Sequence, residues 1–209
     1  MGPLLRGARA IDDMSAWLGR LAGWVGLLLM AVTLIQVISR YLFNVSWVAV
    51  QELEWHLFGA MFLLAAGYTL NAEGHVRVDI FYARFSRRGQ ALVNVLGVLL
   101  LLLPICGIVV YFGCNFTAQA GDFTNSRPPG YYSVLLGGPG DLFYELSLAI
   151  ESLLRRTVFI GEISPDPGGL EARWLIKALI PLGFFFLGLQ GLSMGIKNLA
   201  VVCGVDQDR

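Results

Sequence analysis

The chain has 209 residues, of which 56% are hydrophobic and only 14% are charged. A soluble domain has about 25% charged residues, so this composition indicates an integral membrane protein. The formal net charge is zero, which gives no overall field to attract nucleic acid or an acidic substrate, and the sequence contains no nucleic-acid-binding motif.

The first predicted span covers residues 17–39, because the 19 residues that precede Arg40 carry no charge. We interpret it as a retained helix, since its apolar run starts too far into the chain and is too long for a cleavable signal. Before it, residues 11–18 are predicted to form a short amphipathic helix along the interface. Gly19 and Gly23 have the spacing that lets helix backbones approach closely, although the high frequency of glycine in membrane helices explains the pattern equally well.

The second predicted span covers residues 53–72, in the stretch around which the chain is organised. Its charge-free part, from Leu57 to Ala72, is only 16 residues long, whereas a bilayer core of about 30 Å needs roughly 20 helical residues. The helix must therefore begin earlier, which places Glu54, and with it Glu52, at or just inside one interface.

Carboxylates in that position usually have a partner. On the first helix, Gln36, Ser39 and Arg40 share a face near the same side of the membrane, and they are candidates to hydrogen-bond the acidic pair. Structural ion pairing is one explanation of the two acids, and the binding of a cation by their oxygens is another.

The third predicted span covers residues 90–119, within 33 charge-free residues that as one helix would be about 50 Å long. Such a helix must tilt, kink or project from the bilayer, and Pro104 is the expected kink site. The last span covers residues 178–202, where Gly191 and Gly195 repeat the small-residue spacing.

Residues 122–177 form a connection that is too long for a plain turn. Apolar residues recur within it at helical spacing and predict an amphipathic helix over residues 141–159. A helix of this kind either lies on the membrane or covers another subunit.

The predicted fold is therefore an all-α integral membrane protein, a single membrane domain over residues 1–209 with four transmembrane helices and one or two amphipathic interfacial helices. The first 20 residues carry three Lys or Arg, the link between the second and third helices carries four, and the link between the first and second carries one. Because positive short segments stay inside, both termini are predicted to be cytoplasmic. The first and last helices are expected to approach each other in the cytoplasmic half.

The sequence offers little for catalysis. His56 and His75 would lie about 28 Å apart along a helix and cannot ligate one haem, and the three cysteines lack metal-ligand spacing. No catalytic motif is present, and the spans show no break except at Pro104, which makes them a poor substrate pathway. These observations favour a scaffold or accessory subunit, with no enzymatic activity, cofactor or metal.

Several motifs together resemble the small permease subunit of tripartite ATP-independent periplasmic (TRAP) transporters over about residues 17–200. They are RYLFN at 40–44, the acidic pair Glu52 and Glu54, FLLAAGYTLNAEGHVRVD at 62–79 with the arginine-rich turn after it, and PLGFFFLGLQGL at 181–192. The most specific part is GHVRVD. The chain departs from the pattern at Gln51, where an acidic residue is common, and in its long connection 122–177.

This resemblance implies a multi-pass protein of the bacterial inner membrane that scaffolds a large multi-span permease subunit. It also implies a periplasmic substrate-binding protein that delivers an organic acid, and uptake driven by an ion gradient, usually of sodium. The matched positions are expected to serve subunit assembly and orientation: Arg40, Glu52, Glu54, Gly74, His75, Arg77 and Asp79. Two alternatives remain open, a membrane-anchor subunit of a redox enzyme complex and a self-sufficient small transporter.

Overall fold

The computed structural model describes residues 2–72, 82, 85–122, 140–157 and 161–204, and this part of the chain contains helices and no strand. The predicted all-α class is confirmed. The helices of the described residues are α1 (Gly2–Phe43), α2 (Val48–Asn71), α3 (Arg87–Gly121), α4 (Leu142–Thr157) and α5 (Trp174–Val202).

Among the described residues, three helices are long and apolar enough to cross a membrane, namely α1, α3 and α5. The predicted number of four spans is not confirmed. Helix α2 has 24 residues, which would suffice in length, but its first three turns include Glu52, Glu54 and His56.

Helix α5 lies at the centre of the bundle and packs against α1, α2 and α3. Helices α1 and α2 are antiparallel neighbours joined by residues 44–47. Asn44 takes a left-handed conformation with φ 54°, which ends α1 and lets the chain reverse direction. Helix α4 has no extensive packing against another helix in the described part of the chain.

The beginning of α1 differs from the prediction. Residues 11–18 are not a separate interfacial helix but a continuous part of α1, whose 42 residues make it about 63 Å long. The reason is tertiary: Ala8 and Ser15 are completely buried against α5, where the Ser193 hydroxyl donates to the Ala8 carbonyl at 3.0 Å. Because α1 is about twice as long as a bilayer core is thick, one of its ends must project from the membrane.

Helix α3 contains a π-helical turn at Val98–Leu102, immediately before Pro104. The N–H of Leu103 donates to the Val98 carbonyl, five residues back. Proline has no N–H to donate within a helix, and a π turn is a common way to absorb such an irregularity. The sequence predicted a kink at Pro104, and the structure shows a π-helical turn immediately before this residue.

Small residues allow the helices to approach closely around α5. A Cβ at Gly113 of α3 would lie only 3.0 Å from the Cδ of Pro181 on α5. Gly67 of α2 contacts both α1 and α5, with the Ser15 hydroxyl oxygen 3.5 Å and the Phe186 carbonyl oxygen 3.6 Å from its ideal Cβ position.

Candidate functional site

Polar side chains of the bundle concentrate in two clusters, one at each end of α5. The first, here called the Glu52 cluster, consists of Glu52, His56, Ser164 and Arg173. The Glu52 carboxylate accepts a hydrogen bond from the Ser164 hydroxyl and a second, of 2.5 Å, from the Leu170 N–H. Glu52 therefore joins the first turns of α2 to the loop that precedes α5.

The environment of Glu52 favours its ionised form. Burial raises the pKa of this carboxyl, but the hydrogen bonds from Ser164 and Leu170 and the positive charge of Arg173 outweigh it and hold the pKa below its usual value. An ionised carboxylate makes stronger hydrogen bonds than a neutral one, so Glu52 is suited to hold the loop.

The loop is also fixed at its start. The N–H of Glu162 donates to the Ala120 carbonyl at the end of α3 at 2.8 Å. The Glu162 carboxylate forms an ion pair with Lys177 and lies 3.9 Å from Arg173. Lys177 also sits 4.1 Å from the centre of the Phe116 ring, in the geometry of a cation–π contact. The ends of α2, α3 and α5 are thus connected through this one loop.

His56 and Glu54 are placed differently from Glu52. His56 is half-buried, with Nδ1 2.5 Å from the Glu52 carbonyl oxygen. Because a carbonyl oxygen only accepts hydrogen bonds, Nδ1 must carry a proton in this contact. Nε2 is the ring nitrogen that the contact does not use. For Glu54, the Oε1 atom is buried and has no hydrogen-bond partner in the described part of the chain.

The three predicted partners of the acidic pair do not reach it. The buried side chain of Gln36 donates to the Ser46 hydroxyl at 3.2 Å and to the Trp47 carbonyl at 3.4 Å, so it holds the turn between α1 and α2. Ser39 is buried and Arg40 is exposed, and neither hydrogen-bonds an acidic residue within the described ranges.

The second cluster, here called the Asp12 cluster, consists of Asp12, Ser15, Gln190, Ser193 and Lys197. Ser15 of α1 donates to the Gln190 side-chain oxygen at 2.5 Å. The Gln190 amide and the Ser193 hydroxyl each donate to Oδ1 of Asp12 at 2.9 Å, and Lys197 forms an ion pair with its Oδ2. Every member thus has a partner on the other helix, as buried polar groups require.

Sequence reasoning missed the Asp12 cluster. A signal was present, because Gln190, Ser193 and Lys197 follow one another at i, i+3 and i+7 on an otherwise apolar helix and therefore share a face. Their partner Asp12 lies 178 residues from Gln190 along the chain, so the pairing itself could not be read locally.

A comparison with protein families gives one match. The sequence model described as Tripartite ATP-independent periplasmic transporters, DctQ component, matches residues 29–135, just over half of the chain. The chain belongs to this family. The resemblance drawn from the sequence motifs is confirmed. Searches of curated proteins and of solved structures returned no match.

Membership of the DctQ family makes the chain a TRAP transporter small membrane subunit, a transporter component and not a member of an enzyme family. A redox-enzyme subunit is not favoured. The matched range covers all of α2 and α3 and the last 15 residues of α1 but not α5, so the Asp12 cluster lies outside it.

Four of the positions that the sequence singled out in this DctQ component, namely Gly74, His75, Arg77 and Asp79, lie outside the described residues. For the remaining ranges, no three His, Cys, Asp or Glu side chains lie close enough to hold a metal ion.

The glycines singled out for helix packing face neighbours other than each other. A Cβ at Gly19 of α1 would lie 2.5 Å from the Tyr68 ring of α2, and Gly23 has no atom within 4 Å. On α5, Gly191 faces the Leu102 side chain, and a Cβ added at Gly195 would lie 3.4 Å from Val98; both neighbours are on α3. Helices α1 and α5 do contact each other, and they do so through the Asp12 cluster.

Proposed function

We propose that this DctQ component scaffolds a large permease subunit in the bacterial inner membrane. In this assignment the permease takes up an organic acid that a periplasmic binding protein delivers, and an ion gradient, in the commonest case of sodium, drives uptake. The chain itself carries no substrate and catalyses no reaction.

The observation that carries this proposal is the distribution of polar groups. Hydrogen-bonding side chains are concentrated near the two ends of α5 and bind one another, whereas large apolar side chains between them are exposed, among them Trp24 (71%), Met30 (69%), Leu100 (68%) and Phe112 (64%). Such a surface suits lipid and partner helices. It offers no polar route for a solute, which argues against a self-sufficient transporter.

We further propose that α2 is a fourth span and that both termini are cytoplasmic. Helix α2 runs beside α1 and packs on α5, and it contacts α1 at two depths, through Tyr68 against Gly19 and Met61 against Gly26. The hydrogen bonds to Glu52 satisfy its carboxylate, which lowers the cost of placing an acid near the interface.

Within this proposal, Glu54 is the acid of the pair that is available to the large subunit. Its buried Oε1 atom lacks a donor in the described part of the chain, and an unsatisfied buried acceptor costs about 1–3 kcal/mol. A donor from the permease would remove that cost. The exposed Arg40 and the matched positions Gly74, His75, Arg77 and Asp79 are assigned to assembly on the basis of the family pattern.

Copurification tests the assignment of the acidic pair. We expect Glu54→Leu to reduce recovery of the large subunit about tenfold while the isolated chain unfolds at a temperature no lower than that of the unaltered chain, because the substitution removes a buried acceptor that has no donor in the described part of the chain. The matched change Glu52→Leu should lower the unfolding temperature of the isolated chain, because it removes bonds inside it. Full recovery of the permease with Glu54→Leu would exclude Glu54 from assembly.

Reconstitution tests the function as a whole. Liposomes that contain the large subunit and this chain, supplied with the binding protein and a sodium gradient, should accumulate an organic acid. Omission of this chain should abolish uptake or reduce it severely. Uptake by liposomes that contain this chain alone would contradict the scaffold function.

A further inference from the structure

Helix α4 presents an apolar stripe that faces away from the rest of the protein. Positions 142, 146, 150 and 153 follow helical spacing, and with position 143 they carry only large hydrophobic residues. All five side chains are at least half exposed: Leu142, Phe143, Leu146, Ile150 and Leu153. The stripe extends over about 17 Å of the helix axis.

The opposite face of α4 is the more buried one. Glu151 is only 4% exposed, and Tyr144, Ser147 and Leu148 beside it are half-buried. The helix therefore buries a face that contains polar groups and exposes its apolar one, the reverse of the arrangement expected for a helix surrounded by water. Something apolar must cover the stripe.

The position of α4 in the chain keeps it close to the membrane. Its last residue, Thr157, lies four residues before Gly161, and four residues span at most about 14 Å. Gly161 is in turn packed against the carbonyl of Ala120. Ala120 lies one turn beyond Phe116, which contacts Lys177.

The separation of Lys177 from Lys197 matches the thickness of a bilayer core. Lys177 lies 20 residues before Lys197 on α5, a separation of about 30 Å, which equals the thickness of the hydrocarbon core. Both lysines are held by acids, Glu162 and Asp12 respectively. The C-terminal end of α4 is thus tethered within about 14 Å of Gly161, which is connected to Lys177 through the last turn of α3.

We propose that α4 lies in the lipid interface on the side of Lys177, which is the outer side in the orientation proposed above, with its apolar stripe at the boundary of the acyl chains. Lipid is the occupant because the tether keeps the helix at the membrane surface whether or not another protein is bound. Glu145 and Ser152, which are exposed beside the stripe, face water in this arrangement. The binding site holds phospholipid acyl chains and has no requirement for one headgroup.

Spin labels on the full-length chain in liposomes test the proposal. Labels would be attached at Leu146→Cys and Ile150→Cys, with Glu145→Cys and Ser152→Cys as matched controls, after Cys106, Cys114 and Cys203 are replaced by alanine. At the two stripe positions we expect high accessibility to oxygen, low accessibility to a water-soluble nickel complex and a depth of about 5–10 Å. The control positions should show the opposite.

The same measurement distinguishes the other occupants. Stripe labels that the nickel complex reaches in liposomes containing this chain alone would overturn the proposal. If adding the large subunit or the binding protein then shields those labels, that protein is the true occupant.

A second measurement needs no substitution. Phospholipids with a photoreactive group in the acyl chain should cross-link to residues 142–153 of the unaltered chain. Cross-links confined to α1, α2, α3 and α5 would overturn the proposal even if the cysteine variants failed to fold.

Discussion

Glu52 is the residue on which the end of the bundle near Lys177 depends. It accepts hydrogen bonds from two residues that lie 112 and 118 positions away in the chain. Its side chain therefore links α2 directly to the loop before α5. Glu54, two residues later, has no such bonds within the described ranges. The two acids, which are separated by one residue, therefore differ in their hydrogen bonding within the described ranges, which their spacing alone does not reveal.

The lowered pKa of Glu52 predicts a pH dependence of stability. The carboxylate stabilises the folded chain fully above its ordinary pKa of 4.5, and this contribution is lost as the pH falls below that value towards the lowered pKa of the folded state. We expect the unaltered chain in detergent to lose more stability than Glu52→Gln between pH 7 and pH 3.5, by up to about 1.4 kcal/mol, because pH 3.5 lies one unit below the ordinary pKa. Parallel pH profiles of the two chains would contradict this role.

At the scale of elements, α5 organises the fold because its two ends are held by different partners. One end is held by the loop that Glu52 binds. The other is held by α1, through the contacts of the Asp12 cluster. The loop reaches α3 through Gly161, which has φ +81° and lies against the Ala120 carbonyl. Only glycine fits there without strain.

Alanine substitutions at two loop glycines separate strain from contact. Gly168 has nearly the same backbone conformation, φ +79°, but has no atom within 4 Å of an added Cβ. Gly168→Ala should cost about 1–2 kcal/mol of unfolding free energy. Gly161→Ala should cost more, because its Cβ would also displace the end of α3. Equal losses in denaturant unfolding would show that the contact with α3 is unimportant.

The contact between α1 and α5 is predicted to depend on the Asp12–Lys197 ion pair. In a double-mutant cycle with Asp12→Asn and Lys197→Met, we expect a coupling of about 0.5–3 kcal/mol in the free energy of unfolding. The exposed neighbour Asp13 provides the control, since Asp13→Asn with Lys197→Met should show no coupling. A coupling equally large for Asp13 would indicate a general charge effect.

At the scale of the whole molecule, the two polar clusters bracket a bundle of membrane dimensions. The 20 residues from Lys177 to Lys197 correspond to about 30 Å of helix, so the distance between the lysines matches the thickness of one hydrocarbon core. The apolar surface between them is available for lipid and for the permease. This geometry suits a component whose work is to support a partner.

Labelling of cysteines in intact cells tests the proposed orientation. In chains with one cysteine each, Pro167→Cys in the loop that Glu52 binds should react with a membrane-impermeant maleimide added to spheroplasts. The native Cys203, which is exposed beyond the end of α5, should react only after the membrane is permeabilised. The reverse pattern would place the C-terminus on the periplasmic side.

The sequence by itself determined the all-α membrane class, the family, and the existence of a helix before α5. These properties follow from short stretches of sequence. A lipid-facing helix needs a continuous run of apolar residues, and an amphipathic helix needs apolar residues at a fixed period. The acidic pair was also recognised from sequence as needing partners, but the partners chosen for it, Gln36, Ser39 and Arg40, were not those that the structure shows.

Only the tertiary structure decided which polar groups pair. Glu52 with Leu170 and Asp12 with Gln190 are brought together by the packing of α1 and α2 on α5, and nothing in the neighbouring residues encodes that choice. The same packing explains why residues 11–18 are part of α1, because the buried Ser15 hydrogen-bonds Gln190 on α5. Local periodicity reflects which face of a helix avoids water, whereas partner choice depends on the distances between helices that are far apart in the chain.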